Sequence, residues 1–315
     1  MFVLKGANTF FMKTDFTLDS AYDGLRLSVV AVRPETRPEA VLQVSHGMCG
    51  YKERYMPFME YMAEHGVACV ACDHRGHGAS VKSSDDLGFM YEGGYAALVE
   101  DMKLVSDWSV KEFPDTPLFL LGHSMGSMAA RIYTKKYDGM LSGLIVCGAP
   151  GYTPFARLGL LMTGFLCLFD HGRMRPALLQ NLISYNYNRR FASEGRMAWM
   201  CSDTESRKEF LNNSASDYIF TANGMHNLLG MMVESGSDKG WTVSNPKLHV
   251  TFLSGEDDPC MGGVEKLHDS ARLMYRAGYH DVTAAIFTGM RHEILNETDR
   301  TLVWDDVLDF IHSAV

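Results

Sequence analysis

Residues 118–130 of the chain read LFLLGHSMGSMAA. The first four of these residues form an apolar run, which is typical of a strand buried on both faces. Gly122 and Gly126 flank Ser124 in a G-x-S-x-G pattern, and the pattern after it favours a helix that begins at Met125. Between a strand and a helix this pattern forms a sharp turn that projects the serine hydroxyl above the sheet. The stretch therefore predicts a parallel sheet with Ser124 as a nucleophile at its edge.

Similar apolar runs recur on both sides of this strand, at residues 41–45, 67–71, 144–147, 248–253 and 282–287. Helical patterns alternate with them, at residues 54–65, 95–112, 125–137, 263–277 and 301–313. Two earlier segments, residues 10–18 and 25–33, flank Asp23-Gly24 and predict a hairpin-like pair of strands. This alternation predicts the α/β class, with a mostly parallel central sheet covered by helices on both faces.

The alternation stops in one long segment of the chain. Residues 151–245 are mostly helical in pattern, and the sheet pattern resumes only after them. We expect this segment to be a helical cap inserted between two parts of one core, residues 1–150 and 246–315. Such an insertion lies over the carboxyl edge of the sheet, where open α/β sheets bind ligands.

A serine nucleophile needs a base and a carboxylate that orients the base. In this class of fold the acid and then the histidine follow the serine along the chain. Asp258 follows the strand at 248–253 and stands before a proline, so we predict that it is the acid; Asp257 and Glu256 remain competitors. His292 is the histidine in the loop after the next strand, and we predict that it is the base.

Two backbone N–H groups are expected to stabilise the oxyanion. One is that of Met125, directly after the serine, and the other is that of Met48, in the loop after the third strand. The neighbouring His46 and His123 are predicted to brace these loops rather than to react.

The composition limits the partners of the protein. The formal net charge of −9 argues against a general affinity for nucleic acid or anionic lipid. The longest apolar stretch, residues 158–169, is shorter than the roughly 20 residues that span a bilayer. Residues 1–6 do not resemble a signal peptide. Seven cysteines without metal-site spacing predict reduced thiols in the cytoplasm, and neither a metal nor another cofactor is expected.

Taken together, the motifs resemble the monoacylglycerol lipase/lysophospholipase branch of the α/β-hydrolases, which overlaps the serine aminopeptidase-like family, and bacterial members in particular. The resemblance covers nearly the whole chain and rests on His46-Gly47-Met48, Asp73 to Ser80, Gly122 to Gly126, Gly255 to Pro259 and Arg291-His292-Glu293. It implies the α/β-hydrolase fold, a Ser124–Asp258–His292 triad, an oxyanion hole at Met48 and Met125, and a cap that forms an apolar tunnel. Arg54-Tyr55 also match animal monoacylglycerol lipases, whereas Gly50-Tyr51 and Leu295 depart from them.

These features predict a serine hydrolase that cleaves an acyl ester, such as a monoacylglycerol or a lysophospholipid. The alternative is an aminopeptidase or amidase, for which Asp203-Thr204-Glu205 could bind a substrate amine. An apolar stripe that includes Phe155, Leu158, Leu161 and Phe165 could line an acyl pocket, pack the cap on the core, or make transient contact with a membrane. The sequence does not indicate an oligomeric state.

Overall fold

A computed structural model describes residues 11–315 of the chain. Eight strands form one sheet in the order β1-β2-β4-β3-β5-β6-β7-β8. The strands are β1 (Phe11–Asp19), β2 (Arg26–Pro34), β3 (Ala40–Ser45), β4 (Val67–Cys72), β5 (Leu118–His123), β6 (Gly143–Cys147), β7 (His249–Gly255) and β8 (Asp281–Phe287). Strand β2 is antiparallel to both of its neighbours, and all pairs from β4 to β8 are parallel.

The sheet agrees with the sequence prediction to within one or two residues at each strand end. The hairpin turns at Gly24, whose φ of +70° favours glycine over other residues. Of the predicted first strand, Phe10 lies outside the described residues, as does the segment 1–6.

Nine α-helices accompany these strands within residues 11–315. They are α1 (Met56–Glu64), α2 (Gly94–Glu112), α3 (Met125–Tyr137), α4 (Phe155–Leu166), α5 (Ala177–Asn188), α6 (Thr204–Asn212), α7 (Ala222–Ser235), α8 (Val264–Ala277) and α9 (Arg300–Ser313). Every residue of β3, β4, β5 and β6 is buried. Because the core divides into two apolar clusters, one on each face of the sheet, these strands can be apolar throughout.

The register of the parallel strands brings several loops to one edge. Ser45 pairs with Gly122, and Cys147 pairs with both His123 and Leu253. The loops that follow β3, β5, β6 and β7 therefore leave the sheet side by side, at its carboxyl edge.

Helices α4 to α7 lie between β6 and β7 in the chain, and α7 joins them to the rest of the molecule. The Asn227 carboxamide oxygen accepts the Tyr95 N–H at 2.8 Å, and that of Asn223 accepts the Met90 N–H at 2.8 Å. Two side chains of one helix thus fix it to the backbone at and before the start of α2.

The apolar stripe of α4 faces solvent. Phe155 is 78% exposed and Leu161 is 74% exposed, and Leu158, Met162 and Phe165 are each more than half exposed. Packing of the cap on the core, one of the three roles that the sequence left open for this stripe, is therefore wrong for these five residues. Among residues 11–315, no helix has both the length and the apolar character needed to cross a bilayer.

Candidate active site

Ser124 stands between the last residue of β5 and the first residue of α3. Its backbone has φ 54° and ψ −117°, a conformation that a residue with a Cβ rarely adopts. The turn needs glycine on both sides, because a Cβ at Gly122 would lie 2.4 Å from the Gly126 carbonyl oxygen. A Cβ at Gly126 would lie 2.0 Å from the Ser45 carbonyl oxygen. This tight crossing of strand and helix holds the serine at the sheet edge.

Three of the predicted residues form one chain of hydrogen bonds. The His292 Nε2 lies 2.8 Å from the Ser124 Oγ, and the His292 Nδ1 lies 2.9 Å from the Asp258 Oδ2. Since a carboxylate only accepts, the network assigns the ring proton to Nδ1 and leaves Nε2 free to accept the serine proton. Asp258 and His292 are both about 4% exposed.

The two competing carboxylates point elsewhere. Asp257 forms an ion pair with Arg190, at 2.6 Å, on a partly exposed surface. Glu256 is exposed and accepts a long hydrogen bond of 3.4 Å from the Gly289 N–H. Of the three acids in this loop, Asp258 alone contacts His292.

The environment of His292 acts on its pKa in two opposing ways. Burial disfavours the charged imidazolium, but Asp258 and, after it, Cys260 outweigh burial and raise the pKa well above its ordinary value. The site is therefore built to hold a proton on this histidine once it has taken one.

The loop that contains Met48 passes directly over Ser124. A Cβ at Gly47 would lie 3.1 Å from the Ser124 Cβ, so the backbone of the loop approaches the serine closely. Within residues 11–315, neither the Met48 N–H nor the Met125 N–H donates to another group. Both residues line the cavity above the serine, with donors that remain available.

His46 and His123 brace the loops as predicted. The His46 Nε2 accepts the His74 N–H at 2.9 Å, while its Nδ1 donates to the Gly47 carbonyl at 2.8 Å. The His123 Nδ1 accepts from the Tyr55 hydroxyl at 3.1 Å, and its Nε2 donates to the His292 carbonyl at 3.1 Å. His123 therefore connects the serine turn with the histidine loop.

A buried ion pair lies beside the three residues. The Arg54 guanidinium bonds Glu293, which follows His292 in the chain, and also packs over the ring of Phe210. Burial opposes the charge of Glu293, but Arg54 outweighs it and lowers the pKa of this carboxyl. In the sequence Glu293 stands out only as part of the Arg291-His292-Glu293 motif, and the available signal was a charged residue directly after His292.

Two aromatic residues near His292 were not predicted. The Trp199 ring lies 5.1 Å from the His292 ring between centroids, and Tyr187 lies 5.0 Å from Trp199. Both line the cavity. No sequence pattern links them to His292, because Tyr187 comes from α5 and Trp199 from a turn, both far from His292 in the chain.

The cavity above Ser124 has a volume of about 230 Å³ and a mostly apolar wall. The wall comes from α3, α5 and α7, through Met128, Ile183, Met225, Leu228, Leu229 and Met232. The exposed α4 side chains Phe155, Leu161 and Phe165 are not part of it. They do not line the acyl pocket that the sequence offered as one of their roles.

Known proteins resemble this chain over most of its length. A sequence model of the family "serine aminopeptidase, S33" matches residues 36–299. The chain belongs to this S33 family. It is 24% identical to a monoacylglycerol lipase of Mycolicibacterium smegmatis, over 92% of this chain and 94% of that protein. It is 30% identical to the human monoglyceride lipase, over only 39% of each chain.

A solved structure that resembles this S33 member is a thermostable carboxyl esterase from Bacillus coagulans in complex with glycerol. The TM-score is 0.85 at 25% identity, over 96% of this chain and 99% of that one. The predicted α/β-hydrolase fold and the monoacylglycerol lipase branch are thereby confirmed. The protein is a serine hydrolase of the ester-cleaving type.

Proposed function

We propose that this S33 enzyme cleaves carboxylic esters of acyl chains, with Ser124 as nucleophile, His292 as general base and Asp258 as the acid that orients it. The observation that carries the proposal is the unbroken hydrogen-bond chain from Asp258 through His292 to Ser124. The chain opens onto a cavity with apolar walls, so the reacting hydroxyl faces the space in which a hydrocarbon chain would lie.

The geometry supports a reaction in two steps. His292 takes the Ser124 proton on Nε2 while the Oγ attacks the ester carbonyl carbon, and Asp258 stabilises the imidazolium that forms. His292 then gives that proton to the leaving alcohol, and an acyl-enzyme remains. A water molecule loses a proton to His292 and attacks the acyl carbon, and the proton returns to Ser124 as the acid departs.

The oxyanion of each tetrahedral intermediate would accept hydrogen bonds from the Met48 and Met125 N–H groups. Two observations support this role. Neither N–H donates a hydrogen bond within residues 11–315, and the Gly47 backbone lies close to Ser124. The Met125 N–H also stands at the amino terminus of α3, where the helix dipole favours negative charge.

The substrate that we propose is a monoacylglycerol, a lysophospholipid or a similar small acyl ester. The names of the relatives support this class, and so do the aliphatic and methionine side chains of α3, α5 and α7 on the cavity wall. Leu295 is 2% exposed and packs in the core below the sheet, so it offers no polar group to a glycerol head. Arg54 and Glu293 are two of the charged residues that line the cavity.

We further propose that residues 151–245 act as a cap on a core made of residues 1–150 and 246–315. The exposed apolar face of α4, with Leu161 and Phe165, would make transient contact with a membrane to collect substrate. The seven free cysteines support a cytoplasmic location.

The aminopeptidase alternative has less support. Asp203 accepts the Glu205 and Ser206 N–H groups at the start of α6, and Glu205 pairs with Lys208 outside the cavity. The carboxylates that do line the cavity, Asp217 and Glu293, are each paired with an arginine. A substrate amine would therefore have to displace a guanidinium.

The test is a chain-length series of p-nitrophenyl esters beside aminoacyl-nitroanilides, with Ser124→Ala as the control. We expect turnover of medium and long acyl esters, no turnover of the anilides, and a loss of at least about 10⁴-fold in the variant. Cleavage of anilides without esters would instead support the aminopeptidase. Unchanged ester turnover in Ser124→Ala would exclude the mechanism.

A further inference from the structure

One thiol lies against the proposed catalytic residues. Cys260 follows Asp258 by two positions, and its N–H donates to the Asp258 Oδ1 at 2.8 Å, which closes the loop between them. Tyr187 and His292 both approach the Cys260 side chain. Cys260 and His292 line the cavity above Ser124, so an ion that enters the cavity can reach them.

The side chains of Asp258, Cys260 and His292 each offer one ligand atom, and these three atoms all lie within 4.8 Å of one another. All three residues are buried. In a tetrahedral zinc site, bonds of about 2.0–2.3 Å separate neighbouring ligand atoms by about 3.3–3.6 Å. The separations here thus exceed the ideal by at most about 1.2–1.5 Å. A rotation of the cysteine side chain provides a movement of that size.

The kinds of ligand narrow the choice of metal. Thiolate, imidazole and carboxylate together favour a borderline-soft ion such as Zn²⁺, whereas Mg²⁺ and Ca²⁺ require oxygen ligands. We propose that Asp258, Cys260 and His292 form an inhibitory binding site for Zn²⁺, entered from the substrate cavity. The Cys260 thiol loses its proton to solvent as the Zn–S bond forms. A water molecule from the cavity completes the four ligands.

Occupancy of this site stops the reaction proposed above. An ion shared with Asp258 binds the His292 Nδ1, the ring nitrogen that faces this carboxylate, and replaces the hydrogen bond between them. The proton of Nδ1 moves to Nε2, so the neutral ring can no longer accept the Ser124 proton. The inhibition is reversible, since a chelator removes the ion and Cys260 regains its proton.

Metal binding and inhibition are measured separately on the full chain. Co²⁺ replaces Zn²⁺ as a visible probe, and a thiolate-to-cobalt charge-transfer band in the near ultraviolet reports the Cys260 ligand. We expect the band in the wild type and in Ser124→Ala, because Ser124 is not one of the three ligands. The band in Ser124→Ala reports metal binding independently of catalysis. The zinc site can therefore be confirmed or excluded whether or not the proposed function holds.

Two cysteine variants complete the test. Cys260→Ser is expected to lose the band and to need a Zn²⁺ concentration at least about tenfold higher for half inhibition, measured against its own basal rate. Cys167→Ala removes a more exposed thiol outside the cavity and should keep both properties of the wild type. Cys260→Ala serves instead if the serine variant does not fold, as judged from its melting temperature.

Mg²⁺ at the same concentration is expected to have no effect, and EDTA should restore the activity of the zinc-inhibited wild type. Equal zinc sensitivity of Cys260→Ser and the wild type would overturn the proposal. So would a charge-transfer band that persists in that variant or disappears in Cys167→Ala.

Discussion

The carboxylate opposite His292 is the residue whose role can be measured most directly. Asp258→Asn is expected to lower kcat by about 10⁴-fold, because an amide no longer holds the ring proton on Nδ1. Asp257→Asn should change kcat by less than about threefold, since Asp257 only pairs with the exposed Arg190. Steady-state kinetics on one ester compares the two variants. The opposite ranking would mean that the acid is wrongly assigned.

The pH dependence reports on the same pair. Asp258 outweighs the burial of His292 and raises its pKa, so the wild type loses activity on the acid side while the ring is protonated. Without that charge, only Cys260 opposes the effect of burial, so the pKa of the ring falls. The acid limb of kcat/KM in Asp258→Asn is therefore expected at lower pH than in the wild type. A limb that stays in place would exclude His292 as the titrating base.

At the scale of a single helix, α4 provides the clearest experiment. Leu161→Glu is expected to weaken binding to phospholipid vesicles about tenfold or more, because the insertion of one leucine contributes about 1.5–3 kcal/mol. The variant should still cleave a short-chain ester at the normal rate, since Leu161 does not line the cavity.

Leu302 in α9 is the matched control, being 59% exposed on another helix. Leu302→Glu is expected to bind vesicles as the wild type does. Cosedimentation of both variants with vesicles gives the comparison. Equal loss in the two variants would show that the charge, rather than the α4 face, is responsible.

The elements differ in how far the sequence determines them. Strands β3 to β6 were predicted almost to the residue, because burial on both faces requires unbroken apolar runs. The helix of residues 155–166 is also recognisable as apolar, but its pattern does not say what it faces. Its stripe is exposed in the structure, a result that depends on how α4 and α7 pack.

At the scale of the whole molecule, buried histidines make the fold sensitive to acid. Burial lowers the pKa of His46 and His123 to about 4 and that of His77 to about 3. The unfolded chain binds these protons from about pH 6.5 downward, so the free energy of unfolding decreases as the pH falls. Each of these histidines lowers the free energy of unfolding by about 2 kcal/mol between pH 7 and pH 5. That is a large share of the stability of a typical domain.

Urea unfolding at these two pH values measures the loss. His46→Asn is expected to reduce the difference between them, although it lowers stability at pH 7, and His280→Asn should leave the difference unchanged because His280 is exposed. A difference that is the same in all three proteins would argue against this origin.

The order of the loops along the chain let the sequence predict which residues would meet at the sheet edge. Ser124, Asp258 and His292 follow β5, β7 and β8, whose carboxyl ends lie at the same edge of the sheet, so topology brings them to one edge. Trp199, Tyr187 and Arg54 reach the same place by tertiary packing of helices and loops that no local pattern encodes. The geometry around His292 therefore had to come from the structure.

The strained backbone of Ser124 has a consequence for how such a protein changes over generations. A conformation of this kind costs on the order of 1–3 kcal/mol, and glycine, which has no Cβ, adopts it with much less strain. In a lineage that no longer needs the enzyme activity, replacement of this serine by glycine would raise the stability of the fold. Selection for heat tolerance would then favour the replacement. Only continued selection for hydrolysis opposes that replacement, so a serine at this strained position indicates that the lineage has used the activity.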